Sequence, residues 1–380
     1  MHDWLTGMRG GERVLDELAG LFPDADLYAL LHVPGSTSPR IEQRRIFMSP
    51  LARAPGVARH YRKYLPLFPW AIRRLRADGY DLVLSTHHAV AKAIPHPRET
   101  PHLCVCFTPM RYVWDQADAY LGRGARRALA TPLVAYLRRF DVATSSPEQV
   151  TRIAAISRTV ADRVRRAWGR EASVVHPPVD LARVRPDGRP PDDFFLLVGG
   201  FVPYKREDVA IEAFRALGRR LVVAGDGPGR VGLARAAPAC VEFTGRIPDA
   251  ELARLYARCR ALVHPQEEDF GISALEAQAA GRPVLAFGRG GAAETVVPYE
   301  SPEEAGAATG VFFPRQTPED LADAVRRFET SESRFDPARI RAHAERFSPE
   351  RFRAEIRAEV EHALRDGSGR RACPDPPGSP

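Results

Sequence analysis

The feature that most constrains this chain is an alternation, run twice, of short apolar β-rich stretches with helical ones. In the first half, residues 26–31, 81–85, 102–107 and 152–156 read as strands. Helical patterns fall near 11–21, 59–76, 125–140 and 157–168, the last with Ser157 in the N-cap place. A stretch rich in Pro, Arg and Asp at 180–193 then breaks the pattern as a linker does. The series resumes with strands at 194–198, 221–224, 241–244, 261–264 and 283–287, and helices near 206–217, 249–258 and 272–280. Such alternation predicts parallel sheets covered by helices. At 380 residues the chain exceeds what one core serves, so two units are expected. Open α/β sheets bind ligands in the crevice at the carboxyl ends of their strands, which is where candidate residues belong.

Composition excludes several classes. There is no apolar run of about 18 residues and no secretory signal pattern at the N-terminus. The five cysteines form neither a paired framework nor a CxxC metal spacing, so a cytosolic chain is expected. The formal charge of +7 points to an anionic partner. Between Arg40 and Arg76 lie ten Lys or Arg residues and one acid, Glu42, interleaved with Tyr61, Tyr64, Phe68 and Trp70. One reading is a solvated helix face; the other is a cationic amphipathic surface at the inner face of an anionic membrane. No nucleic-acid motif accompanies the charge, so nucleic acid is not expected as a partner.

Two segments carry the chemistry. The run from Glu267 to Glu276 follows an apolar strand, turns at Gly271 and opens a helix. The N–H groups of Gly271, Ile272 and Ser273 then sit at a helix N-terminus, a place for a diphosphate. Glu268 falls in the loop and Glu276 one turn into the helix. Spacing alone leaves open that the first is a helix-end charge and the second a solvated one. In the second segment, Gly199 to Arg206 links a strand to a helix and places Lys205 where it can meet a phosphate. Only three of the 55 basic residues are lysines, which favours a point-charge role for this one. Two glycine turns, at Gly10-Gly11 and at Gly225, allow close backbone approach. Neither fits a dinucleotide fingerprint or a Walker A sequence, which argues against a nicotinamide dehydrogenase.

Together these residues resemble the family-4 glycosyltransferases with the GT-B fold, two Rossmann-like domains whose parallel sheets face across a cleft. The resemblance runs from His2 to about Phe352. It implies an acceptor-side domain at 1–185, a nucleotide-sugar donor domain at 186–347, a C-terminal helix at 348–366 returning to the first domain, and a disordered tail at 367–380. Lys205 matches the family's diphosphate-binding lysine, and Glu268 and Glu276 its E-x7-E pair, with Phe270, Gly271 and Ile272 as the amide cradle. Lys205 and Glu268 are thereby the expected catalytic residues. Gly10, Gly11, Arg206, Gly225, Arg246, Ser273 and Glu276 join the cradle as donor-binding ones.

The segments from Val202 to Arg206, Thr108 to Tyr112 and Gly290 to Glu294 look like a bacterial mannosyltransferase-like subgroup that builds surface polysaccharides. The implied reaction is retaining and needs neither metal nor cofactor. It moves a sugar, with GDP-mannose favoured, to a glycan or polyprenyl-linked acceptor. A sugar-nucleotide epimerase or hydrolase and a catalytically impaired nucleotide-binding homologue are the alternatives.

Three departures stand out. Gly200 occupies the place of an arginine five residues before the family's lysine. Phe107 replaces a histidine before Thr108-Pro109-Met110-Arg111. The family's first strand, ahead of His2-Asp3-Trp4, is not present, and its loss is expected to leave neighbouring strands unpaired. A start about six residues upstream is the expected remedy.

Overall fold

The computed structural model describes residues 1–114, 125–301 and 306–371. The chain forms two compact units, one of Met1–His176 with the chain from Phe352 onward, the other of Pro177–Arg351. It changes unit between His176 and Pro177, ahead of the stretch at 180–193. That stretch is anchored in the second unit, where Asp192 N–H donates to Arg258 O at 2.7 Å.

In the first unit, helix α1 (Gly10–Leu21) precedes β1 (Leu27–Ala29) and β2 (Ile46–Met48). There follow β3 (Val83–His87), β4 (His102–Cys106), α2 (Ala125–Ala143), β5 (Arg152–Ala155), α3 (Arg158–Trp168) and β6 (Ser173–Val174). Strands β3-β4-β5-β6 form one parallel sheet and β1-β2 another. The N-terminal residues lie between them: His2 bridges both Ala29 and Thr86, and Leu5 bridges His32, all parallel. Residues 1–5 thus take the central place where unpaired strands were expected. Next to Met1 remains a cavity of about 280 Å³ lined by Leu15, Leu18, Phe22, Tyr28 and Leu84. Ser157 caps α3 as its sequence suggests, its Oγ accepting from Val160 N–H at 3.0 Å.

The region around 59–76 is not one helix. It breaks into a helical turn (Val57–His60), a 3-10 segment (Tyr61–Leu67) and a short helix (Phe68–Ile72). Pro66 and Pro69 supply no N–H, so a continuous i to i−4 ladder cannot run through them.

In the second unit, β7 (Phe195–Val198), α4 (Glu207–Leu217), β8 (Leu221–Ala224), β9 (Val241–Gly245), α5 (Asp249–Arg258) and β10 (Leu262–His264) follow in turn. After them come α6 (Ile272–Ala279), β11 (Val284–Phe287), β12 (Gly310–Phe313), α7 (Pro318–Ser331) and α8 (Pro337–Glu345). All six strands are parallel, in the order β12-β11-β10-β7-β8-β9. The chain winds one way from β7 to β9 and the other way from β10 to β12. The switch point therefore lies between β7 and β10, and their carboxyl ends are where open sheets of this kind bind ligands. Edge-to-face rings of Phe195, Phe214 and Phe328, centroids 5.2 and 5.9 Å apart, fill the core beneath.

Helix α9 (Pro349–Arg371) closes the described chain and runs past Gly367, beyond where the tail was expected to begin. From Phe352 it belongs to the first unit: Arg353 Nε donates to Glu17 at 2.9 Å and Arg152 Nε to Glu359 at 3.1 Å. Residues 372–380 of the expected tail lie outside the described residues.

Candidate active site at the switch point of the second unit

Loops leaving the two switch strands hold the residues that matter. After β7 the backbone runs from Gly199 to Arg206. Among the described residues, Phe201 (φ 50°) and Arg206 (φ 53°) are the non-glycine residues with positive φ. Strain of this kind persists only where the surroundings enforce it. Here the buried Phe201 ring packs beside Phe243 at 6.0 Å, and Phe201 N–H donates to the Glu207 carboxylate at 2.8 Å. Burial raises the Glu207 carboxyl above its usual range against the pull of those N–H bonds. Between the two strained residues, a 3-10 turn (Pro203–Lys205) lifts Lys205.

From the other strand, the chain after His264 turns at Gly271 (φ +86°) and enters α6. Lys205 Nζ contacts Glu268 Oε1, so two residues 63 positions apart meet across the switch point. The glycines nearby are there for contact. A Cβ on Gly225 would lie 2.0 Å from Gly199 O, and one on Gly291 would lie 2.2 Å from Phe270 Cα. Gly291 N–H donates to Glu268 O at 2.8 Å, fixing the loop.

Glu276 is buried, not a solvated face residue. Its Oε2 accepts from Tyr256 Oη at 2.8 Å and its Oε1 contacts Arg183. Burial and this carboxylate both push the Tyr256 hydroxyl pKa up. Beneath Glu268 sits a second buried set: His264 Nδ1 is 3.0 Å from Gln266 Nε2 and 3.5 Å from Ser273 Oγ. Burial, reinforced by Lys205, lowers His264 to about 3, so the ring is neutral. Arg183, Tyr256, His264 and Gln266 were not among the residues expected from sequence. Tyr256 carried a signal in the apolar face of α5. Arg183 carried none, because it stands in a stretch without periodicity.

Two family models divide the chain between them: Glycosyltransferase Family 4 over residues 8–183 and Glycosyl transferases group 1 over residues 183–347. The chain belongs to glycosyltransferase family 4. This glycosyltransferase is 43% identical over 115 residues to a GDP-mannose-dependent alpha-mannosyltransferase of Mycolicibacterium smegmatis, covering 30% of the chain and 29% of the relative. It is 30% identical over 237 residues to a D-inositol 3-phosphate glycosyltransferase of Streptomyces bingchenggensis, covering 52% and 49%. Each match thus spans less than half of the relative's own length. The fold is that of Anabaena Alr3699/HepE in complex with UDP-glucose: TM-score 0.67, 16% identity, 95% of this chain and 98% of that one.

The transferase's remaining expected residues are spread more widely. Phe270, Gly271, Ile272 and Ser273 lie at the start of α6 beside Glu268. Arg206 turns to Asp208, Nε to Oδ1 3.1 Å, so in this structure its charge is already engaged away from the Lys205–Glu268 pair. Arg246 is exposed just after the edge strand β9. Gly225 N–H donates to Gly245 O at 2.9 Å, giving it a packing role of its own. Gly10 and Gly11 open α1 in the first unit, where a Cβ on Gly11 would meet the Phe107 ring at 3.2 Å. Gly200, in place of an arginine, has nothing within 4 Å of where its Cβ would stand.

Proposed function

We propose that this enzyme transfers a sugar, mannose from GDP-mannose in the favoured reading, to a glycan or lipid-linked oligosaccharide in surface-polysaccharide assembly. The observation that carries the proposal is the meeting of Lys205 with Glu268 at the switch point, beside the N-terminus of α6. As the glycosidic bond breaks, negative charge grows on the diphosphate. Lys205 and the amides of Gly271, Ile272 and Ser273 are donors suited to that charge once the nucleotide sugar is bound. Glu268 and Glu276 fit better as holders of sugar and ribose hydroxyls than as an acid–base pair. Each already engages a cation through one carboxylate oxygen. With no protein nucleophile assigned, retention follows from front-face attack in which the leaving phosphate takes the acceptor's proton. The protein itself supplies the positive charge and donors that offset the leaving diphosphate, so turnover in chelator is expected.

The test is a panel of GDP-, UDP- and dTDP-sugars assayed with lipid-linked and simple glycoside acceptors. Acceptor-dependent transfer with the anomeric configuration kept supports the proposal. Sugar release or isomerisation without acceptor points instead to a hydrolase or epimerase, and nucleotide binding without turnover to an impaired homologue.

A lipid-linked acceptor suits the segment between Arg40 and Arg76, for which we propose peripheral contact with the cytoplasmic leaflet. Its buried side carries Val57, Tyr61, Phe68 and Ile72. Its open side exposes Leu67 and Trp70, each 46% accessible, among Arg59, Lys63, Arg73 and Arg74. The Arg74 guanidinium stands 5.6 Å from the Trp70 ring, an amphipathic pair suited to a headgroup layer. No described helix is long and apolar enough to cross a membrane. Sedimentation with anionic but not zwitterionic vesicles, lost in Leu67→Ala/Trp70→Ala, is the expected result.

A further inference from the structure

The buried His264 is not accounted for by donor binding. Its Nδ1 faces the Gln266 side-chain nitrogen at 3.0 Å, which can only donate, and the Ser273 hydroxyl at 3.5 Å. Nδ1 is therefore the acceptor and the ring proton is on Nε2. The opposite tautomer would aim a lone pair at a carboxylate. That Nε2 is buried and has no hydrogen-bond partner. Such an unmet donor is costly unless a partner arrives.

The acceptor it faces is Glu268 Oε2, 3.9 Å away, a little beyond hydrogen-bond length. The path between them passes the glycine turn. A Cβ on Gly271 would lie 3.3 Å from His264 Nε2 and 3.9 Å from Glu268 Oε2. The other oxygen, Oε1, is the one Lys205 holds.

We propose that His264 is a positioning residue that takes over Glu268 when Lys205 leaves it for the donor diphosphate. The inference rests on the proposed function, in which Lys205 serves that diphosphate. One ammonium cannot satisfy both a carboxylate and a diphosphate. As it moves to the phosphates, Glu268 is left with a partly desolvated charge and no cation. A carboxylate shift of about 1 Å brings Oε2 within hydrogen-bond length of Nε2–H, and the resulting charge-assisted bond fixes the side chain. Oε1 is then turned out toward the sugar hydroxyls. Gln266 and Ser273 hold the tautomer this exchange needs, as a partner on the far nitrogen does for histidines elsewhere. Lys205, Glu268, Gln266, Ser273 and Gly271 are the groups that face the ring.

The experiment is a double-mutant cycle read by nucleotide binding. Calorimetry with GDP, UDP and dTDP on the wild type chooses the tightest ligand, and binding by none of them overturns the functional reading together with this inference. With that nucleotide, His264→Phe is expected to weaken binding about tenfold where Glu268 is present, and less than about twofold in a Glu268→Gln background, where there is no charge to compensate. His264→Gln, whose amide can reach as Nε2 does, should recover most of the loss. Equal losses in both backgrounds, or none in either, overturn the role of His264 while leaving the transferase reading intact. On the wild type, the Nε2–H proton of 15N-labelled His264 should move downfield on nucleotide addition and not in Glu268→Gln. A stationary signal also overturns the inference.

Discussion

The two units share a parallel, helix-covered sheet, yet they use buried charge in opposite ways. In the first unit the buried charges are paired and closed off from solvent. Asp3 accepts from the backbone N–H groups of His88, Ala89, Val90 and Ala91 at 2.7 to 3.0 Å. Burial works to raise its carboxyl, but His88, His87 and those N–H groups outweigh it and hold it below its usual range. Lys92 lies 2.9 Å from Asp141 with both side chains essentially inaccessible, and Trp114 and Trp168 each donate to the same carboxylate at 2.8 Å. In the second unit, Lys205 and Glu268 stay 18% and 17% accessible at the switch point. Paired and sealed from solvent, a charge cluster is scaffold. Left partly open at a switch point, it is a place for a ligand.

That contrast can be broken first at the lysines. Lys92→Met leaves Asp141 buried without its cation and is expected to cost about 3–5 kcal/mol of stability, read as a lower denaturation midpoint. Lys205→Ala should change stability by less than about 1 kcal/mol while kcat falls about 10²-fold or more. Near-wild-type turnover in the second variant, or a stable first one, would erase the distinction.

Acid should separate the units next. Burial, with Lys92 second, lowers His87 to about 3, and burial holds His102 well below its usual value. The folded pKa lies below the unfolded one in both cases. Their contribution is therefore whole above about pH 6.5 and is lost as pH falls toward the folded value. The loss is up to about 1.4 kcal/mol per pH unit for each. Burial also lowers His88, so among the described residues the first unit holds three such groups against two, His264 and His343, in the second. All four tryptophans, Trp4, Trp70, Trp114 and Trp168, lie in the first unit, so their fluorescence follows that unit alone. Unfolding at pH 5 is expected to appear in fluorescence before it appears in activity-independent probes of the second unit. Coincident curves at pH 5 would mean the histidines do not discriminate.

The smallest effect sharpens the open site. Nothing lies within 4 Å of a Cβ on Gly200, so a side chain can leave the backbone there without meeting a neighbour. Gly200→Arg is expected to lower donor KM about fivefold by adding a second cation for the diphosphate. An unchanged KM would indicate that this enzyme binds its donor without that half of the clamp.

Much of this was legible beforehand, and for a local reason. Strand and helix runs such as Leu221–Ala224 and Asp249–Arg258 are set by side-chain periodicity within a few residues, and both form at the expected bounds. The broken helix around Pro66 shows where period misled, since apolar spacing continued while the hydrogen-bond ladder could not. The short β2 and β6, of three and two residues, were too brief to show a period at all.

By itself, then, the sequence determined two alternating α/β halves, the family, and the loop positions of Lys205 and Glu268. Only the tertiary structure decided who meets whom. Arg183 reaches Glu276 from a stretch that reads as linker, and Tyr256 reaches it from another helix. Gln266 sets the tautomer of His264 under Glu268. Spacing along a chain specifies which face of an element a side chain occupies. The order of strands in the sheet decides which faces share a crevice, and that order is a property of the whole folded unit.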